Sequence, residues 1–233
     1  MKIFIPIKEK SQRVPSKNFR LFNGVPLYKH TLYKLKDFEV WVDTDSDLIL
    51  EEIEKDEKLS HVRGYKRTNR LRGHRVSVCD LISHFICKMD LEDYEEIICQ
   101  LHVTSPFLAV ETIKDAYRKF DEGYDSVVSC TAIQTRLWRK EDYGMCPVNH
   151  NPLKLEQTQD LPKYYEENSL LYFFKSDLMF NTNNRIGTNP YFYETEFPEN
   201  LDIDTEDDWA LVKKMSEYEH KTSMATNTIN SNL

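Results

Sequence analysis

The chain opens on five apolar residues in succession, Ile3-Phe4-Ile5-Pro6-Ile7, which run straight into a loop crowded with charge. A short apolar run with no polar alternation reads as a strand buried on both faces, the kind found inside parallel sheets. Pro26 then opens a helical stretch through Lys36, since proline is tolerated in a first helical turn. The rhythm continues with a strand over Phe38 to Val42, a helix over Leu48 to Lys55 and a helix over Val76 to Met89. Next come a strand over Glu95 to Leu101, a helix over Thr112 to Phe120 and a strand over Ser126 to Cys130. Strands separated by helices pair in parallel through right-handed crossovers, so the expected fold is α/β with a doubly wound, mostly parallel sheet. Ligands in such sheets sit beyond the carboxyl ends of the strands. The loops after Ile7, Val42, Leu101 and Ile203 are therefore expected to face one cleft.

From about Ala132 to Asn168 the alternation breaks into a segment with three prolines, Trp138, Tyr143 and the adjacent Tyr164 and Tyr165, which reads as a small inserted lobe. Ser169 to Phe174 is expected to return as a strand, with Asn200 to Ile203 a last short one and Thr205 to Tyr218 a helix. One main domain over 1–219 is expected, followed by a disordered tail over 220–233, rich in Ser, Thr and Asn. With 233 residues and 40% of them hydrophobic, the chain can bury a full core without disulfides. Five cysteines (Cys79, Cys87, Cys99, Cys130 and Cys146) include no CxxC pair and read as reduced core residues of a cytoplasmic protein. Only five residues separate Lys2 from Lys8, too few for a signal-peptide core, and no apolar run reaches the ~18 residues of a membrane span. A formal net charge of −8 argues against nucleic acid as a partner.

Positive charge is local instead. Lys8, Lys10, Arg13, Lys17 and Arg20 crowd one early loop, and Lys66, Arg67, Arg70, Arg72 and Arg75 another. Several cations and N–H donors converging at a strand end suit a triphosphate, although the spacing is not that of a Walker A loop. Near the other end lies Asn200-Leu201-Asp202-Ile203-Asp204-Thr205-Glu206-Asp207-Asp208. On a strand, Asp202 and Asp204 point to one face and can share a Mg²⁺ ion with phosphate oxygens. Thr205 and Asp208 have the spacing of a capping box, which leaves Asp202 unexplained.

Ile5-Pro6-Ile7-Lys8-Glu9-Lys10-Ser11-Gln12-Arg13-Val14-Pro15-Ser16-Lys17-Asn18, with Asn23-Gly24-Val25-Pro26-Leu27 after it, resembles the opening of the acylneuraminate cytidylyltransferases, which make CMP-sialic acid and its relatives. An arginine of that pattern is Lys8 here, which keeps the charge without the bidentate fork. Leu101-His102-Val103-Thr104-Ser105-Pro106 is similar to the family's L-Q-P-T-S-P, and Leu201 to Asp208 to its D-I-D-T-x-x-D. Trp41-Val42-Asp43-Thr44-Asp45 resembles V-S-T-D, where Asp45 or Ser46 can equally cap the helix that follows. Tyr65 to Leu71 takes the place of a segment that contacts the nucleotide, with Arg67 as its arginine. The acceptor region matches loosely: Gln157 to Pro162 and Asn168 to Tyr172 carry Thr158, Glu166 or Glu167, and Ser169 where the family has two arginines and a glycine.

The resemblance implies a Rossmann-like, nucleotide-diphospho-sugar transferase-like fold and Mg²⁺-dependent transfer of CMP from CTP to an acidic sugar. It assigns Lys8 and Lys17 to catalysis, and Lys8, Ser11, Arg13, Lys17, Asn18, Arg67 and Thr104 to the nucleotide. His102, Ser105, Gln159 and Asn168 fall to the sugar, and Asp202 and Asp204 to the metal. It also implies a homodimer formed through the lobe, with Trp138, Tyr143, Tyr164 and Tyr165 at the contact; core packing of those aromatics is the rival expectation. The acceptor-side departures keep two alternatives open. One is a nucleotidyltransferase of this fold with another acceptor, and the other is a noncatalytic nucleotide-binding dimer module.

Overall fold

The computed structural model describes residues 1–73, 75–91 and 96–230, with side chains described through Tyr218. Strand β1 spans Lys2–Ile7, and the short antiparallel pair β2 (Leu21–Phe22) and β3 (Val25–Pro26) leads into helix α1, Leu27–Lys34. Then follow β4 (Glu39–Thr44), α2 (Asp47–Lys55), β5 (Val62–Lys66), α3 (Val78–Lys88), β6 (Ile97–Leu101) and α4 (Val110–Asp121). Strand β7 (Ser126–Ile133), the hairpin of β8 (Trp138–Glu141) and β9 (Gly144–Pro147), and β10 (Tyr164–Lys175) come next. Helix α5 (Ser176–Thr182), β11 (Pro190–Glu194) and α6 (Glu206–Asn230) complete the order.

Seven strands form one sheet in the order β11-β7-β10-β6-β1-β4-β5. Strand β10 runs antiparallel to both neighbours, and the remaining pairs are parallel, so the expected mostly parallel sheet is present. The apolar opening run explains why β1 sits in the middle. Ile3, Ile5 and Ile7 join a cluster with Tyr28 and Leu32 of α1, Ile49 and Ile53 of α2, and Ile113, Ala116 and Phe120 of α4. Phe4 points the other way, to Leu81, Ile82, Phe85 and Ile86 of α3 and Met179 of α5. Each such side chain contributes about 1.5–3 kcal/mol by leaving water, which makes both faces of β1 strongly specified. Helices on both faces make the sheet doubly wound.

The differences from the sequence reading have local causes. Asn200 to Ile203 is not a strand: Ile203 N–H bonds the Thr104 carbonyl at 3.0 Å, but β6 is already flanked by β1 and β10 and offers no edge. Strand β5 is an addition, masked by the charged, glycine-containing run Val62-Arg63-Gly64-Tyr65-Lys66; a Cβ at Gly64 would meet Leu50 Cδ2 at 2.8 Å. Helix α5 and strand β11 also lie where the sequence shows no clear period. Helix α6 is drawn to Asn230, past His220 and into the segment expected as a tail. Glu95, expected to begin β6, lies outside the described residues.

Between β7 and β10, the strands run on out of the core, with Tyr164 opposite Ile133 and Tyr165 opposite Ala132. Trp138, Tyr143, Tyr164 and Tyr165 are all exposed, so core packing does not account for them. Cys99 and Cys130 are core residues as expected, whereas Cys87 faces outward on α3.

Candidate active site

A cavity of about 300 Å³ opens where β1 and β6 end, lined among others by Lys8, Ser11, Arg13, Lys17, Asn18, His102 and Thr104. That volume lies at the small end of ligand pockets. The loop after β1 holds its shape through its own polar groups. Asn18 Nδ2 donates to the Lys8 carbonyl at 2.8 Å, Lys17 N–H to the Val14 carbonyl at 3.1 Å, and the Val14 side chain is buried beneath. Ser16 takes a left-handed φ of 54° to make the turn. Asn18 therefore secures the loop. Glu9 N–H donates to Asp45 Oδ1 at 2.8 Å, so Asp45 ties the loop after β4 to the loop after β1 and does not cap α2. Lys8 Nζ reaches the Gly73 carbonyl at 3.2 Å, bringing in the second basic loop.

The acids near the C-terminus close the ring. Arg13 Nη2 lies 2.7 Å from Asp204 Oδ1, and Lys17 Nζ lies 3.5 Å from the same oxygen while donating to the Ile203 carbonyl. Asp202 accepts from Thr104 Oγ1 and, at 3.1 Å, from Ser105 Oγ. The capping box is realised as well: Asp208 N–H donates to Thr205 Oγ1 at 3.2 Å, and Asp208 Oδ2 accepts from the backbone of Thr205 at 2.7 Å and of Asp204 at 3.0 Å. Helix α6 thus fixes the acids through its first turn. The four loops expected at one cleft are joined by these contacts. The expected strand over Asp202 and Asp204 is absent, so the shared face expected of them is not that of a strand: Asp202 turns to Thr104 and Ser105, and Asp204 to Arg13 and Lys17. Their carboxylates are the donor class that a hard cation such as Mg²⁺ takes, one or two at a time, together with phosphate oxygens. No cluster of three or more acidic, His or Cys ligands occurs among the described residues.

Other expected site residues take different places. Arg67 is buried rather than lining the cavity; its Nε donates to Asp43 Oδ1 at 2.5 Å, and its Nη1 has no partner. Burial pushes the Asp43 carboxyl upward against the pull of Arg67, so the pair is a costly internal bridge. Ser105 is buried and reaches the site only through Asp202. Gln159 lies in the exposed segment before β10, where its carbonyl accepts from Gln134 at 2.9 Å. Asn168 sits at the irregularity in β10 and donates to Thr195 Oγ1 at 2.7 Å and Thr131 Oγ1 at 3.0 Å. Neither lines the cavity.

One residue group is absent from the sequence reading. Arg185, in the loop after α5, lays its guanidinium over the Tyr172 ring, 3.4 Å from the centroid, and donates to Gln100 Oε1. His102 stands two residues beyond Gln100. Burial pushes its imidazole down; Asp202 opposes this, and Arg185 and Lys17 add to it. The imidazole is therefore neutral near pH 7 and has one donor and one acceptor. No local motif signals Arg185, because its partners lie on β6 and β10.

The family model described as cytidylyltransferase matches residues 3–229. The chain is 29% identical to a CMP-N,N'-diacetyllegionaminic acid synthase of Legionella pneumophila over 227 residues, covering 91% of this chain and 94% of the relative. It is 27% identical over 222 residues to an N-acylneuraminate cytidylyltransferase of Streptococcus agalactiae, covering 89% of this chain but only 51% of that longer protein. A pseudaminic acid cytidylyltransferase of Campylobacter jejuni is 24% identical, with 94% and 97% covered. Among solved structures, a CMP:2-keto-3-deoxy-manno-octonic acid synthetase complexed with CTP superposes with a TM-score of 0.65 at 16% identity, covering 93% of this chain and 98% of that one. A 4-diphosphocytidyl-2C-methyl-D-erythritol synthase from Anaerococcus prevotii gives 0.64 at 13% identity, covering 92% and 96%. These two likenesses concern the fold. With the family model spanning nearly the whole chain and the early basic loop, the T-S-P turn and the D-I-D-T segment meeting at one cleft, the chain belongs to the cytidylyltransferase family of nucleotidyltransferases.

Proposed function

We propose that the protein transfers CMP from CTP to a nonulosonic acid and releases pyrophosphate. The observation that carries this reading is the meeting of Arg13 and Lys17 of the loop after β1 with Asp204, next to Asp202 held by Thr104, at one strand-end cleft. The acceptor's anomeric hydroxyl attacks the α-phosphate in line and gives its proton to solvent, the bond to the β,γ-diphosphate breaks, and pyrophosphate carries away the electron pair. No covalent intermediate with the chain is required, so the protein contributes position and charge. Lys8, Ser11, Arg13 and Lys17 hold the triphosphate, while Asn18 keeps the loop in shape. Asp202 and Asp204 would hold Mg²⁺, which neutralises charge on the phosphates. Thr104 orients Asp202, and His102 meets the sugar with a neutral imidazole. Arg67 acts through Asp43 beneath the second basic loop, and Gln159 and Asn168 belong to the acceptor side.

A pyrophosphate-release assay across nonulosonic acids with CTP and with ATP tests the reading; turnover with CTP and such an acid is expected. Lys17→Ala should lower turnover by about a hundredfold or more in a folded protein, since it removes one of the few charges aimed at the leaving group. Near-normal release by that variant removes Lys17 from the mechanism. Glu166 and Glu167, acids on the acceptor-side strand, favour one second reading: the same transfer to another acceptor. Turnover of CTP only with a non-sugar acceptor would select it.

We also propose a homodimer. Tyr143, Leu153 and Leu155 are 83%, 95% and 89% exposed in the segment between β7 and β10, and burying such side chains against a second copy would be favourable.

A further inference from the structure

An acidic acceptor brings its own carboxylate, and the cations of the loop after β1 are those assigned above to the triphosphate. Arg13 and Lys17 face Asp204, and Lys8 Nζ reaches the Gly73 carbonyl. Arg185 is held differently. Tyr172 stacks on it and the neutral Gln100 amide accepts from it, which fixes its plane without cancelling its charge. Its carboxylate contact among the described residues, to Glu167 Oε1, is long at 3.4 Å, and the Glu167 side chain is 43% exposed. The Arg185 side chain as a whole is 14% exposed.

Gln100 adds a second donor. Its side chain is fully buried, and its Nε2 has no acceptor. The amide cannot be turned over to cure this, because a guanidinium only donates and must face the oxygen. A buried amide donor without an acceptor, beside a guanidinium with spare N–H groups, is chemically suited to a carboxylate. His102, two residues along from Gln100 in the chain, lines the cavity.

We infer that Arg185, with the Gln100 amide beside it, takes the carboxylate of the acceptor and sets the preference for an acidic sugar, and that Glu167 competes for the same fork. The assignment rests on the proposed acidic acceptor. Arg185 is a specificity residue that touches substrate away from the reacting atoms.

The test uses the full chain, CTP, an accepted nonulosonic acid and its methyl ester. Arg185→Gln should raise the KM for the acid about tenfold or more, leave the KM for CTP within about twofold, and reduce the acid-over-ester preference to near unity, as loss of one charge-assisted contact requires. Arg185→Lys should keep part of that preference. Glu167→Gln still accepts from the Tyr172 hydroxyl but no longer competes, so it should lower the KM for the acid. An active Arg185→Gln that keeps the full acid preference overturns the inference, as does a Glu167→Gln with a raised KM for the acid. If Arg185→Gln fails to fold, Glu167→Gln decides; if it folds without turnover, calorimetric binding of acid against ester decides. A wild-type chain that binds acids but never turns them over with CTP counts against the proposed function, while the Arg185 assignment is then read from binding. A wild-type chain that binds no acid overturns both.

Discussion

Asp43 and Arg67 form an ion pair beneath the loops that follow β4 and β5. Both side chains are fully buried, at the ends of β4 and β5, and Tyr65 donates to the second Asp43 oxygen at 3.3 Å. Removing one member strands the other charge in the interior. Asp43→Ala should therefore cost about 3–5 kcal/mol in urea unfolding, while Asp43→Leu with Arg67→Met should recover most of it. His30 gives the pH counterpart. Its ring packs edge-on against Phe22 at 4.7 Å, its Nδ1 has no partner, and burial, helped by Lys34, lowers its pKa to about 4. The unfolded chain binds a proton near pH 6.5, so between those values it holds more protons than the folded chain. The His30 contribution is complete above pH 6.5 and lost as pH falls toward 4. Unfolding measured at pH 7 and 4.5 should show His30→Phe losing on the order of 1–2 kcal/mol less than the wild-type chain over that interval.

At the scale of elements, the first turn of α6 positions the site more than its polar sequence suggests. Asp208 Oδ2 accepts from Asp204 N–H, Thr205 N–H and Thr205 Oγ1. Asp208→Ala should lower stability by about 1 kcal/mol, as loss of a cap does, yet reduce turnover by about tenfold or more by releasing Asp204. Thermal unfolding and pyrophosphate release together check this; equal, small losses in both would make the box a cap alone. The legibility of the elements follows from the same physics. β1, β4 and β6 are readable because strands buried on both faces are largely apolar, with Asp43 and Gln100 as buried exceptions, and the loop after β1 is readable because its charges are crowded together. β5 carries Arg63, Gly64 and Lys66 at the sheet edge, where burial asks less of each residue. The start of β10 at Tyr164 is hidden by Glu166 and Glu167, which follow it in a stretch of exposed residues. Arg185 and Gln100 meet across 85 positions, and no local period encodes such a contact.

The whole molecule is one sheet with a cleft at its strand ends and an apolar, exposed segment between β7 and β10. If that segment joins two copies, light scattering should give twice the mass of 27.7 kDa, and Leu153→Asp with Leu155→Asp should give the monomer. A monomeric wild-type chain at micromolar concentration would remove the dimer from the proposal.

The Arg13–Asp204–Lys17 ion triplet has a thermodynamic consequence for the proposed chemistry. Within the triplet the charges already satisfy one another. A triphosphate arriving alone must draw the cations away from Asp204, and a divalent ion arriving alone must draw Asp204 away from the cations. Arriving together they exchange partners, and no charge is left stranded. Each ligand then tightens the other by the same factor, as linkage requires. The triplet acts as a filter for the paired species, favouring the metal–nucleotide complex over either component.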